Sequence, residues 1–128
     1  MKRFLVIIAC VTLFSISANA ADAPKGAFEV GQVLSVIAVK TSKEEADAFV
    51  KAFKEGPKAG HKMAGFLGLA VAESTKEPGS FMVISLWKDE EALSNYVKSK
   101  AFGEDHAGVM TIKSAKTEPP GRFVIKDK

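Results

Sequence analysis

Three observations predict an α+β fold built on one antiparallel sheet. Four short runs are rich in apolar residues that favour strands, two intervening segments carry helical spacing behind a capping residue, and their order is β-α-β-β-α-β. Residues 33–39 (VLSVIAV) are β-branched and almost continuously apolar, which predicts a buried first strand. Ser42 and Glu45 form a capping box: hydroxyl and carboxylate cover free N–H groups at a helix start. Ala46, Phe49, Val50 and Phe53 follow at helical spacing, and Gly56-Pro57 ends the helix. Residues 66–72 (FLGLAVA) and 80–87 (SFMVISLW) read as two strands around a polar turn containing Pro78-Gly79. Asp89 caps a second helix, with Glu90 and Glu91 in its favourable first turn and Ala92, Leu93, Tyr96 and Val97 on its apolar face. Ser99 restarts a short helix through Phe102 and His106, and residues 122–125 (RFVI) form the last strand. This order is the ferredoxin-like, split βαβ arrangement, with both helices on one face of the sheet. Strands so continuously apolar imply that both faces are covered. Two helices cover only one, so a homodimer with sheets packed face to face is expected.

The first 20 residues read as a secretory signal rather than as part of that domain. Lys2 and Arg3 form a positive start, residues 4–14 are nearly all apolar, and Ala18-Asn19-Ala20 is an A-x-A cleavage pattern. The apolar run falls short of the roughly 20 residues a spanning helix needs. A competing lipobox, Ile7-Ile8-Ala9-Cys10, would place a lipid on Cys10, but the apolar run continues past that cysteine. Cleavage after Ala20 is the expectation, with a lead-in at 21–31, a domain over 32–128, a periplasmic or secreted address and no membrane span after cleavage.

Cleavage would change the composition. Lys2 and Arg3 leave with the signal, so 18 basic residues become 16 against 15 acidic ones. No basic run remains to recruit nucleic acid. Cys10, the sole cysteine, would leave too, which excludes a disulfide, a thiolate nucleophile and a thiolate metal ligand. Stability would then rest on the core alone.

Few side chains suggest chemistry. His61 stands in an irregular stretch without the converging ligands that a metal site needs, and Met63 reads as gap filling. His106 is either a functional imidazole or a surface residue at a helix end. Adjacency does not pair it with Asp105, since neighbours on a helix do not face each other. Phe49 and Phe53 follow the helical core stripe, whereas Phe66, Tyr96 and Phe102 could equally be core or line an apolar pocket for a flat ligand. Arg122, the one arginine of the domain, could meet a ligand carboxylate or a surface acid.

Trp87, Tyr96, Ser99, Phe102 and His106 fall in a strand-end Trp, helix aromatic and S-x-x-F-x-x-x-H pattern. This resembles the antibiotic-biosynthesis-monooxygenase superfamily of dimeric α/β barrels. Together with Gly65-Phe66, it is most similar to the heme-degrading branch. The resemblance implies a monooxygenase with His106 as the proximal ligand of heme iron and Tyr96, Phe102 and Phe66 around the cofactor. That branch carries an Asn on the first strand and a Trp on the second helix; here the positions hold about Ala38 and Tyr96. Two further functions fit the resemblance. One is a cofactor-independent oxygenase of a small aromatic substrate, with Tyr96 and His106 orienting or deprotonating it. The other is a non-catalytic binder of a small hydrophobic or planar ligand.

Overall fold

The computed structural model describes residues 28–128. The signal segment, its cleavage site, Cys10 and most of the lead-in lie outside the described residues. Strand β1 (Val33–Lys40) pairs antiparallel with β3 (Ser80–Trp87) along its whole length, from Val33 opposite Trp87 to Lys40 opposite Ser80. Strand β2 (Phe66–Glu73) pairs with the other edge of β3. The free edge of β1 takes β4 (Lys116–Thr117) and β5 (Gly121–Val124), also antiparallel. The spatial order β2-β3-β1-β4 is the ferredoxin-like order, and the sheet is not closed.

The predicted last strand is thus two short strands. Pro119 and Pro120 have no N–H to donate, so the ladder breaks between them. Glu118 still donates to the Ala38 carbonyl at 3.0 Å just before the break.

The first helical segment opens as a 3-10 turn (Lys43–Glu45) and continues as α1 (Ala46–Glu55). Half of the expected capping box forms: the Glu45 N–H donates to Ser42 Oγ at 3.3 Å. The reciprocal arm goes elsewhere. The Glu45 carboxylate accepts from Ser114 N–H at 3.0 Å, while Ser42 N–H donates to Ser114 Oγ at 2.9 Å. A turn distant in sequence has displaced the local partner, and its hydrogen bonds hold the Glu45 carboxyl below its usual range. In the second helix, α2 (Glu90–Val97), Asp89 caps as predicted by accepting from Ala92 N–H at 2.8 Å. Helix α3 (Lys100–His106) follows from Ser99. Gly65 is left-handed, at φ +86°, and a Cβ there would lie 2.4 Å from Ala92 Cβ, so only glycine lets the chain pass α2 into β2.

Alternate residues of each strand face the helices. On β1 these are Val33, Ser35, Ile37 and Val39; on β3 they are Phe81, Val83, Ser85 and Trp87. They build two clusters. Val39, Ala46, Phe49, Phe81, Val83 and Val109 form one, under α1; Val33, Trp87, Ala92, Leu93 and Tyr96 form the other, under α2. The α1 stripe is narrower than expected, since Val50 is exposed. Among the described residues no helix packs on the opposite sheet face. Leu34, Val36, Ala38, Met82, Ile84 and Leu86 lie there beside Phe123, with Met82 and Phe123 44% and 56% exposed. Among the described residues no helix is long and apolar enough to cross a membrane.

Candidate functional site

A pocket of about 60 Å³ opens between the sheet, the two C-terminal helices and a 3-10 turn (Ala59–Lys62). Its floor includes Ser35, Val83, Ser85 and Trp87; its walls include His61, Phe66, Tyr96, Phe102 and His106. All four residues expected around a ligand are therefore brought together, and His61 joins them. Most of the wall is one succession of rings. His61 stacks on Phe66 at 4.4 Å, Phe66 meets Trp87 edge-on at 5.3 Å, and Trp87 stacks on Tyr96 at 4.9 Å. Phe102 then contacts Tyr96 at 5.4 Å and His106 at 4.2 Å. Such offset and edge-on pairs add rigidity beyond simple burial.

The polar tips of these rings are individually satisfied. Trp87 Nε1–H donates to Ser85 Oγ at 2.9 Å. Tyr96 O–H donates to Asp105 Oδ2 at 2.9 Å. The same carboxylate accepts from Ala59 N–H at 2.7 Å and Gly60 N–H at 2.8 Å, which hangs the His61 turn on α3. Gly60 is required here: a Cβ would lie 2.6 Å from the Tyr96 ring. Burial, then the Asp105 hydrogen bond and charge, push the Tyr96 phenol far above its usual value. Tyr96 thus keeps its proton and cannot act as a base near neutral pH.

His106 is held differently. Its Nδ1 lies 2.7 Å from the Phe102 carbonyl, one helical turn earlier. A carbonyl only accepts, so Nδ1 carries the hydrogen, and the neutral ring has its lone pair on Nε2. Asp105 and His106, adjacent in sequence, face different partners. Phe49 is fully buried core, as expected, whereas Phe53 packs on that core and also reaches the pocket. Arg122 pairs with Glu90 and donates to Ser94 Oγ at 3.2 Å, so its partner is a surface acid. Met63 accepts from the Ser99 hydroxyl at 3.4 Å and packs in the α2 cluster. Among the described residues no three His, Cys, Asp or Glu side chains converge as a metal site.

The sequence reading missed Ser35, Ser85, the anchoring of Asp105 and the place of His61. The serines had a signal: each is the one polar residue at the helix-facing positions of its strand. The other two had none, because only the fold brings residues 59–61 to residue 105.

Residues 33–108 match the antibiotic biosynthesis monooxygenase family. The chain belongs to that family. Among solved structures, its fold is similar to that of SnoaB, a cofactor-independent oxygenase from Streptomyces nogalater (TM-score 0.59, 14% identity, 77% of this chain and 96% of that one). It is also similar to a conserved protein from Methanosarcina mazei Go1 (TM-score 0.60, 21% identity, 75% and 95% covered). A third is an inferred antibiotic biosynthesis monooxygenase from Deinococcus radiodurans (TM-score 0.63, 16% identity, 75% and 94% covered). At these identities the likeness concerns the fold. No curated protein matches the sequence.

The pocket residues do not fit heme, although His106 offers a suitable nitrogen. The Asn-equivalent position, Ala38, pairs with Met82 on the sheet face turned away from the helices, so β1 presents Ser35 and Ile37 to the pocket instead. Lys58, the nearby cation that could meet a propionate, is bound to the carbonyls of Phe53, Lys54 and Gly56.

Proposed function

We propose that this domain is an oxygenase of a small, electron-rich phenol that needs no bound cofactor, with His106 as its base. The carrying observation is the 2.7 Å hydrogen bond from His106 Nδ1–H to the Phe102 carbonyl, which leaves the Nε2 lone pair on an imidazole bordering an aromatic pocket. The fold likeness to SnoaB, a cofactor-independent oxygenase, supports the same reading. The small floor suits the edge of one ring, with the rest of the ring in the open mouth.

His106 Nε2 takes the phenolic proton, and the phenolate supplies electrons to dioxygen. The ring C–H beside the hydroxyl becomes a carbonyl, so phenol and O₂ give an ortho-quinone and one water. The ring loses four electrons and O₂ gains four; one oxygen atom enters the ring and the other leaves as water. No further reductant is consumed. That balance suits the proposed exported location, since nicotinamide reductants are cytoplasmic.

Oxygen uptake with a panel of phenols tests this reading. His106→Gln is expected to lower kcat by about 10²–10⁴-fold while phenol still quenches Trp87, the only tryptophan. A flat oxygen trace across the panel, with quenching intact, would leave a binding protein and remove the oxygenase.

The reading includes a homodimer. The bare sheet face has Leu34, Val36, Ile84 and Leu86 at its centre, and its one charged β1 or β3 position, Lys40, lies at the far end of β1, which favours a second copy of itself as the cover. Light scattering at micromolar concentration should give the dimer mass, and Ile84→Glu the monomer mass. A monomeric wild type would overturn this part.

A further inference from the structure

The sequence holds one tryptophan and one tyrosine, and the fold stacks them on each other. The rings of Trp87 and Tyr96 lie 4.9 Å apart at 26°; both are buried and both line the pocket. Rings in such contact share π density, so an electron lost from one is readily replaced from the other. What differs between them is the fate of the proton. An oxidised indole or phenol is a strong acid, and its radical settles where a base takes that proton. Trp87 Nε1–H donates to Ser85 Oγ at 2.9 Å, a neutral hydroxyl and a poor base. Tyr96 O–H donates to Asp105 Oδ2 at 2.9 Å, within direct proton-transfer reach of a carboxylate. Asp105 is fixed there by Ala59 N–H at 2.7 Å and Gly60 N–H at 2.8 Å. At rest the same pairing keeps the phenol protonated.

We propose that Trp87, Tyr96 and Asp105 form a redox unit that removes one-electron oxidants from the pocket, with Tyr96 as the residue left oxidised. The oxidant is of the peroxyl class, an organic peroxyl or hydroperoxyl radical. One electron leaves Trp87 and reduces that radical to the peroxide anion. Tyr96 then returns an electron to Trp87 as its O–H bond breaks. The proton goes to Asp105 Oδ2, and a neutral tyrosyl radical remains. The unit needs neither His106 nor a bound phenol, so it goes beyond the oxygenase reading and does not stand or fall with it.

Pulse radiolysis with the azide radical, which attacks indole before phenol, tests the unit by starting the oxidation at Trp87. With a single tryptophan and a single tyrosine, the two radical absorptions need no further assignment. In wild type the Trp87 radical should decay as the Tyr96 radical grows in, independently of protein concentration and more slowly in heavy water. Asp105→Asn keeps the acceptor oxygen but loses its charge. It should slow the transfer about tenfold, the difference between a charged and a neutral hydrogen-bond partner. Tyr96→Phe should leave the radical on Trp87. Under a steady flux of peroxyl radicals from an azo initiator, Trp87 fluorescence should fade several-fold faster in Tyr96→Phe than in wild type. A Trp87 radical that persists in wild type overturns the proposal, as does a transfer rate unchanged in Asp105→Asn or in heavy water. Equal fading in wild type and Tyr96→Phe overturns peroxyl radicals as the oxidant. If Asp105→Asn does not fold, the heavy-water rate and Tyr96→Phe decide alone.

Discussion

The two halves of the core are built from the same kinds of residues for different ends. Under α1, Phe49 is 0% exposed and packs against Phe53 and Phe81 at 5.2 Å and 4.5 Å, with Val39, Val83 and Val109 completing a wholly apolar cluster. Under α2, Trp87 and Tyr96 are as well packed, but each carries a polar tip tied to a named partner, and a cavity borders them. The first half holds the fold. The second accepts a less economical core in exchange for hydrogen-bonding groups in an apolar setting, where each such group is costly if unpaired.

The difference can be broken by truncating each half in turn. Phe49→Ala should cost the most, about 3–5 kcal/mol, by denaturant unfolding. At a temperature where the variant remains folded, its phenol affinity, read from Trp87, should equal that of wild type. If affinity falls together with stability, the halves are not separable.

Asp105→Ala should cost less stability, about 2–3 kcal/mol, since it strands the Tyr96 hydroxyl and two backbone N–H groups in a partly buried site. Its effect on the pocket should be the larger one. The turn carrying His61 loses its tie to α3, so phenol binding should weaken several-fold. Unchanged binding in Asp105→Ala would show that the turn holds its place without the carboxylate.

The smallest effect is a titration. Tyr96 is the only tyrosine, and its phenol is raised above the ordinary value of 10.0. A raised value means that the folded state holds the proton more tightly. The stability linked to Tyr96 is therefore complete below pH 10.0 and is lost as pH climbs through the higher folded value. The phenolate absorbance should stay absent through pH 10.0 and emerge only at more alkaline pH or with unfolding. Tyr96→Phe should remove that alkaline loss. A tyrosine that titrates normally in the folded protein would mean that the second half is wetter than its packing suggests.

These experiments bear on residues that were unequally legible. The pattern of apolar runs located all the long strands and helices, because burial of one face imposes a period of two or 3.6 on the sequence itself. Asp89 capped as read, since its partner lies three residues away. Glu45 did not complete its box, because Ser114, far along the chain, competes for the same carboxylate. Pro119 and Pro120 were visible, but their division of the last strand depends on what β1 offers to either side. In the site, Tyr96, Phe102 and His106 were found by spacing along one segment. Asp105 was set aside as a neighbour of His106, although its partners at residues 59, 60 and 96 make it the tie between turn and helix.

By itself, then, the sequence determined the order of the long elements, the Asp89 cap, most of the face each helix buries and the aromatic residues of the pocket wall. Those follow from local periodicity and from hydrogen bonds that span a few residues. Only the tertiary structure decided that His61 and His106 share one pocket, that Ala38 faces away from it, and that two serines meet on its floor. Sheet register and the return of a distant turn set these relations, and neither is encoded in any single segment of the chain.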